Sequence, residues 1–170
     1  MTKELIKEKE RWNKIYQENK RLDKKFNSQY LENEPQLYEK NCIELLVEIG
    51  EFINETKCFK YWSVKKPDKE KMLEELADCI NMILYFYGLL NLDIDHFENI
   101  EIEKNTLHQI NKLYILSSNL LINLNKQDIE NIFANILSLA YSLDLEEEDI
   151  LRKLEEKHQV IYERFEDKNY

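Results

Sequence analysis

The sequence predicts an all-α protein, on the evidence of its composition and of the spacing of its apolar residues. The 170 residues include only two glycines and two prolines, so few tight turns are available to connect β-strands. Leu, Ile, Glu and Lys dominate the composition, and apolar residues recur at helical intervals along most of the chain. We therefore expect a single domain, residues 1–170, built as a helical bundle.

Six helices are predicted in chain order. The first is charge-rich with one apolar side, and a connection over 27–35 separates it from the second. The third follows an aromatic and basic loop, with Asp68 placed to cap it. An acidic connection with a candidate short helix at 95–99 comes next. Two helices without evident chemistry follow, and the last helix begins with acidic residues and ends with basic ones, as the helix dipole favours. The predicted helices span residues 3–26, 36–57, 69–91, 106–124, 128–143 and 145–167.

Charge and cysteine content limit the partners and the compartment. The formal net charge of −10 repels a phosphate backbone, so no nucleic-acid partner is expected. The three cysteines, Cys42, Cys58 and Cys79, form no C-x-x-C pair, and an odd number argues against a disulfide framework, which favours the cytoplasm. The longest uncharged apolar run, residues 79–92, is shorter than the roughly 20 residues of a membrane helix. No signal-like segment stands at the N-terminus, so neither membrane nor secretion is expected.

The second helix contains a narrow acidic stripe. Its members share one sector of the helix, and apolar residues occupy most of the remaining circumference. Like charges at these spacings repel one another, and burial increases the cost. A cation is therefore expected opposite the stripe. The acids are Glu44, Glu48, Glu51 and Glu55.

Two acidic pairs on neighbouring helices indicate a metal site. Glu48-x-x-Glu51 on the second helix and Glu75-x-x-Asp78 on the third would place four carboxylates around one cleft, because the short loop makes the helices antiparallel. All-oxygen ligand sets favour Mg²⁺, with Mn²⁺ as a substitute. Two such ions are a common apparatus for phosphoryl transfer.

Acidic pairs of this kind also arise without a metal site. A chain this acidic produces such spacings by chance, as at Glu146-x-x-Asp149, where Arg152 and Lys153 supply partners one turn later. Glu155-x-x-His158 matches half of a di-iron motif, but the other two histidines lack a glutamate three residues earlier. Glu44 has Lys40 four residues before it and is left out of the predicted ligands.

A family resemblance is present in three stretches: 48–55 (EIGEFINE), 59–67 (FKYW and KP) and 74–78 (EELAD). They resemble the dimeric dUTPases of the all-α nucleoside triphosphate pyrophosphatase superfamily. The acidic pairs are shared with MazG-like enzymes, whereas the F-K-x-W segment points to dUTPases. The resemblance implies a homodimer that hydrolyses dUTP to dUMP and pyrophosphate with Mg²⁺. It also makes dUDP a further candidate substrate.

The same resemblance assigns roles to individual residues. Glu48 would orient or deprotonate the attacking water, and Trp62 would pack on the nucleoside, unless it is an ordinary core anchor. Ile161 stands where the family has an asparagine, and Asn19 where it has a glutamine. Glu55 is either a support for the ligands or a partner of the adjacent basic loop. The implied metal ligands are Glu48, Glu51, Glu75 and Asp78, and the implied substrate contacts are Asn19, Asp23, Lys60, Trp62, Asn81, Lys157 and Arg164.

Two alternative functions remain open. A related pyrophosphatase could act on dCTP or on a modified nucleotide. A helical interaction protein could keep the fold without the chemistry, although the presence of all four implied ligands argues against it.

Overall fold

The computed structural model describes residues 2–30, 34–94 and 100–166, and confirms the all-α class. Within these ranges there are six α-helices and one antiparallel pair of two-residue strands, in which Thr2 faces Glu101 and Lys3 faces Ile100. The elements are β1 (Thr2–Lys3), α1 (Lys9–Tyr30), α2 (Leu37–Thr56), α3 (Lys69–Leu89), β2 (Ile100–Glu101), α4 (Thr106–Asn119), α5 (Lys126–Ser142) and α6 (Glu147–Glu166).

Several predicted boundaries are wrong. The first helix begins at Lys9 rather than at residue 3, because residues 2–3 form a strand instead. It continues to Tyr30, into the stretch that the sequence predicted as a connection. Helix α4 ends at Asn119 rather than at residue 124, since the chain turns there with main-chain bonds such as Ile122 N to Asn119 O at 2.9 Å. The candidate short helix at 95–99 lies outside the described residues.

The predicted cap of α3 is confirmed. The Asp68 carboxylate accepts hydrogen bonds from the main-chain N–H groups of Glu70 and Lys71, at 3.0 and 3.3 Å. These bonds satisfy donors that have no partner within the helix. After the loop at 57–68, α3 runs back along α2, and the two helices pack more extensively than any other pair of described elements.

A buried acid fixes α6 against α1. Glu147 accepts from the Trp12 indole Nε1 at 2.9 Å and from the main-chain N–H groups of Lys7 and Glu8 at 2.8 and 3.2 Å. Trp12 is fully buried and packs edge-on against Phe133 at 5.5 Å. The start of α6 is therefore held at the start of α1, which sets the position of the later turns of α6 beside α3.

Glu148 and Asp149, in the first turn of α6, reach solvent and are paired, but mainly with residues other than the predicted partners, since Lys153 pairs with Glu70 and Glu156. Asp149 forms an ion pair with Lys69 at 2.7 Å. Glu148 pairs with Arg11 on α1 at 2.6 Å, however, and not with Arg152 one turn later. In the part of the chain that is described, no helix combines the length and the apolar character needed to cross a membrane.

Candidate active site

Three of the four predicted metal ligands meet at the contact between α2 and α3. Oxygen atoms of Glu48, Glu51 and Glu75 all lie within 4.8 Å of one another. Oxygens that share one Mg²⁺ at about 2.1 Å are about 3–4 Å apart, so small side-chain rotations would complete a ligand set. The donors are all carboxylates, which suits a hard divalent cation. The residues present therefore fit the ion that the sequence predicts.

Electrostatic repulsion within this group is strong. Burial, followed by the charges of Asp78, Glu51, Glu44 and Glu75, raises the pKa of Glu48 to about 7. Burial also raises the pKa of Glu75, with Asp78 and Glu51 adding to the effect. A cation placed among these carboxylates would favour their charged forms.

Asp78, the fourth predicted ligand, is paired with a lysine from α6. Lys157 Nζ donates to Asp78 Oδ2 at 2.6 Å and lies 3.7 Å from Glu74 Oε1. Lys157 was predicted to contact phosphates, and the structure places its ammonium beside the acidic group. The lysine thus neutralises part of the charge of the acids on α3, and its charge opposes the rise in the pKa of Glu75.

A cleft of about 590 Å³ extends from this group between α1, α2, α3 and α6. Its volume is in the range typical of small-molecule sites. Carboxylates lie at one end, and the other end is mostly apolar, with Phe26 and Phe165 in edge-on contact at 6.5 Å. The lining includes Asn19, Leu22, Asp23, Phe26, Asn41, Glu44, Glu48, Asp78, Asn81, Met82, Tyr85, Ile161 and Phe165.

The predicted base-reading residues form one hydrogen-bonded unit in this cleft. Asn19 Nδ2 donates to Asp23 Oδ2 at 3.0 Å and to the main-chain oxygen of Asn81 at 3.3 Å. Both hydrogens of the Asn19 amide are therefore used, and its side-chain oxygen is the atom left to accept. Burial and the charge of Glu44 raise the pKa of Asp23 to about 7.

The two outer acids of the stripe differ in environment. Glu44 lines the main cleft, and burial raises its pKa. The neighbour expected to balance it, Lys40, forms its ion pair with Glu34 instead. Glu55 pairs with Lys57 Nζ at 3.1 Å, which favours its role as a partner of the basic loop. It also lines a second cleft of about 400 Å³ with Glu51 and Glu75.

Four predicted substrate contacts are not among the described residues that line either cleft, although one of them, Lys157, is bonded to Asp78, which lines the main cleft. Lys60 and Trp62 belong to the loop after α2 and are not among the described residues that line either cleft, and neither is Arg164 on α6. Trp62 is 65% exposed and packs edge-on against Tyr61 at 5.0 Å. The alternative that Trp62 is a core anchor is therefore wrong, and its contact with a nucleoside stays a prediction.

Sequence reasoning missed two residues that line the cleft, Asn41 and Tyr85, and one residue of α6 that contacts a lining residue, His158. Asn41 Nδ2 donates to the Tyr85 hydroxyl at 2.8 Å across the α2–α3 contact. His158, which sequence reasoning placed only in a partial di-iron motif, is bonded to Asn81. Tyr85 shares the helical face of Asp78 and Met82, which was a usable signal. The sequence offered no comparable signal for His158.

An all-α fold with clustered carboxylates beside a cleft of nucleotide size is typical of a protein with a small-molecule site rather than of a purely structural bundle. The family model described as dUTPase matches residues 11–170, so the chain belongs to the dUTPase family. It is accordingly an enzyme of the nucleoside triphosphate pyrophosphohydrolase type that acts on dUTP. No curated protein sequence gives a significant match.

Proposed function

We propose that the protein hydrolyses dUTP to dUMP and pyrophosphate with Mg²⁺ held by Glu48, Glu51, Glu75 and Asp78. One observation supports this most strongly: Glu48 and Asp78 line the same cleft as Asn19 and Asp23. A nucleotide whose base contacts Asn19 can therefore direct its phosphates toward the carboxylates.

In this proposal all four carboxylates hold the cation, and one of them, Glu48, is also the general base. A cation held by the four carboxylates would neutralise part of the triphosphate charge and would lower the pKa of the attacking water. Glu48 then acts as the general base and accepts the proton of that water. Its raised pKa belongs to the metal-free protein, and a bound cation would lower it. Lys157, 2.6 Å from Asp78, reaches the phosphates by rotation about its flexible side chain.

Selectivity for uracil is proposed to start at Asn19. Its amide nitrogen is occupied by Asp23 and by the main chain of Asn81, so its oxygen faces the base as an acceptor. Uracil carries a hydrogen on N3 and cytosine does not, so an acceptor facing N3 favours uracil. The shorter side chain relative to glutamine is compatible with this contact because Asn19 itself lines the cleft.

The remaining contacts involve the outer parts of the molecule. We propose that Arg164 binds phosphate and that Lys60 and Trp62 contact the nucleotide from the loop after α2. A second copy of the chain is the proposed partner, since exposed apolar residues such as Ile43 and Val47 on α2 and Ile115 on α4 are suited to an interface. The free thiols of Cys42, Cys58 and Cys79 favour the cytoplasm.

A nucleotide panel tests the function. Purified protein with Mg²⁺ would be assayed with dUTP, dUDP, dCTP, dTTP and ATP, and the released pyrophosphate and phosphate would be measured separately. We expect pyrophosphate and dUMP from dUTP, and no turnover after chelation of the metal. Preference for dCTP or another nucleotide would replace the proposed substrate, and turnover of none would favour a silent interaction protein.

A further inference from the structure

His158 is a buried histidine to which the proposed reaction gives no role. It lies on α6 next to Lys157, is 5% exposed, and its Nε2 is 3.1 Å from Asn81 Oδ1. Asn81 stands one turn after Asp78 on α3 and lines the main cleft. Two successive residues of α6 thus contact two residues of α3 that lie one turn apart.

The chemistry of the two groups fixes the direction of this bond. An amide oxygen only accepts, so Nε2 of His158 has to carry the hydrogen, and the Asn81 amide nitrogen is turned away from it. The main-chain oxygen of Asn81 accepts from Asn19 on α1 at 3.3 Å. Asn81 is therefore held from α6 through its side chain and from α1 through its main chain.

The neighbouring acids do not compete for His158. Glu18 accepts from the Tyr162 hydroxyl at 2.6 Å, and Glu155 is bonded to Arg11 at 2.8 Å through two guanidinium nitrogens. Burial lowers the pKa of His158, and the charges of Glu18 and Glu155 only partly oppose this. The ring is thus neutral at physiological pH, with one donor and one acceptor nitrogen.

The same contacts remove the di-iron interpretation of Glu155-x-x-His158. The Glu155 carboxylate is engaged by Arg11 on the outer side of α6, and Nε2 of the histidine is engaged by Asn81. Among the described residues, the carboxylate group that could hold a metal contains neither of them.

We propose that His158 is a positioning residue of the nucleotide site. Its Nε2–H holds the side-chain oxygen of Asn81, so that the Asn81 amide nitrogen donates into the cleft to an oxygen of the bound nucleoside. Asn19 then presents an acceptor to the nucleoside and Asn81 presents a donor. His158 fixes the orientation of the Asn81 amide and so determines that Asn81 donates. This inference rests on the proposed function for the identity of the ligand.

The tautomer of His158 provides a test that needs no substrate. Long-range ¹H–¹⁵N spectra of the ¹⁵N-labelled protein at neutral pH distinguish the two neutral tautomers, and a His158→Gln variant assigns the signals. We expect the Nε2–H tautomer in the wild type, with its hydrogen protected from solvent exchange, and faster exchange of that hydrogen in Asn81→Ala. A dominant Nδ1–H tautomer, or a charged ring, would overturn the proposal whatever the enzyme hydrolyses.

Kinetics with dUTP separate positioning from packing. His158→Leu removes the donor and keeps an apolar side chain, whereas a glutamine amide nitrogen can take the place of Nε2. We expect the Leu variant to raise KM for dUTP by about tenfold with kcat within about twofold, and the Gln variant to recover most of the loss. His108→Leu, at an exposed histidine on α4, is the matched control and should leave KM unchanged.

A double variant completes the test. If His158 acts through Asn81, His158→Leu should add no further increase in KM to Asn81→Ala. Equal losses in the Leu and Gln variants, or additive losses in the double variant, would mean that His158 has only a packing role. If His158→Leu does not fold, the KM of the Gln variant and the tautomer of His158 in the wild type still test the proposal.

Discussion

Lys157 on α6 donates to the carboxylate of Asp78 on α3 across 2.6 Å, so an ammonium lies directly beside the carboxylate group that is proposed to bind metal. The Asp78 oxygen that accepts the hydrogen bond from Lys157 cannot coordinate a cation at full strength at the same time. Lysine and metal therefore compete for it, and α6 is coupled to the state of the site.

Replacement of Lys157 should separate metal binding from turnover. In Lys157→Met we expect Mg²⁺ to bind the nucleotide-free protein several-fold more tightly, because the competing ammonium is gone. Turnover of dUTP should fall by about 10²-fold, because a phosphate contact is lost. Calorimetric titration with Mg²⁺ and steady-state kinetics measure the two effects. Weaker Mg²⁺ binding in the variant would contradict the competition.

The role of Glu48 predicts a large effect of a small change. Glu48→Gln keeps the shape of the side chain but removes the proton acceptor and a metal ligand, so kcat for dUTP should fall by at least about 10³-fold. Far-ultraviolet circular dichroism should be unchanged. Glu39→Gln, at an exposed acid in the first turn of the same helix, is the control and should retain activity. Full activity of Glu48→Gln would refute the assignment.

Asp23 predicts a pH dependence of stability. Its pKa in the folded protein is about 7, against 3.8 for an unperturbed aspartate. Between these values the folded state keeps a proton that the unfolded state has lost, so the free energy of unfolding decreases as pH rises from about 4 to about 7. Asp23→Asn lacks this titration, and its amide oxygen can still accept from Asn19.

Urea unfolding of the metal-free protein at pH 5 and pH 8 measures this effect. Between pH 5 and pH 8 the wild type should lose stability that Asp23→Asn keeps. The difference between their free energies of unfolding should therefore shift by at least about 1 kcal/mol in favour of Asp23→Asn. The contribution of Glu48 is common to both proteins and cancels in the comparison. Parallel pH profiles of the two proteins would show that Asp23 is not protonated in the folded state.

The exposed position of Trp62 predicts a ligand effect without a stability effect. Trp62→Phe should change the free energy of unfolding by less than about 0.5 kcal/mol, because the side chain is 65% exposed. Binding of dUMP should change tryptophan fluorescence in the wild type and not in Trp62→Phe, since the other tryptophan, Trp12, is buried away from the cleft. An equal change in the wild type and in the variant, or no change in the wild type, would contradict a contact between Trp62 and the nucleotide.

Glu147 should be the most important acid for stability outside the cleft. Glu147→Ala leaves three donors without their acceptor, the Trp12 indole among them, and is expected to cost about 2–4 kcal/mol. Glu148→Ala, which loses only a surface ion pair with Arg11, is the control and should cost less than about 1 kcal/mol. Thermal and urea unfolding measure both, and equal effects would show that the buried bonds contribute little.

Local sequence determined the helical class, the capping of α3 by Asp68, and the placement of two acidic pairs on successive helices. These features depend on residues close together in the chain, where helical periodicity and capping chemistry operate. Helix ends were less well predicted, because the end of α1 and the end of α4 depend on packing and turns that periodicity does not record.

Partnerships across the fold were decided only by the tertiary structure. Nothing in the local sequence selects Lys157 as the neighbour of Asp78, Arg11 as the partner of Glu148, or His158 as the partner of Asn81, since each pair is 77 or more residues apart. Helical spacing fixes which residues share a face, but it does not fix which faces meet. The acidic stripe on α2 followed from the sequence. Packing decided that Asp78 is paired with Lys157 and that Glu44 lines the cleft.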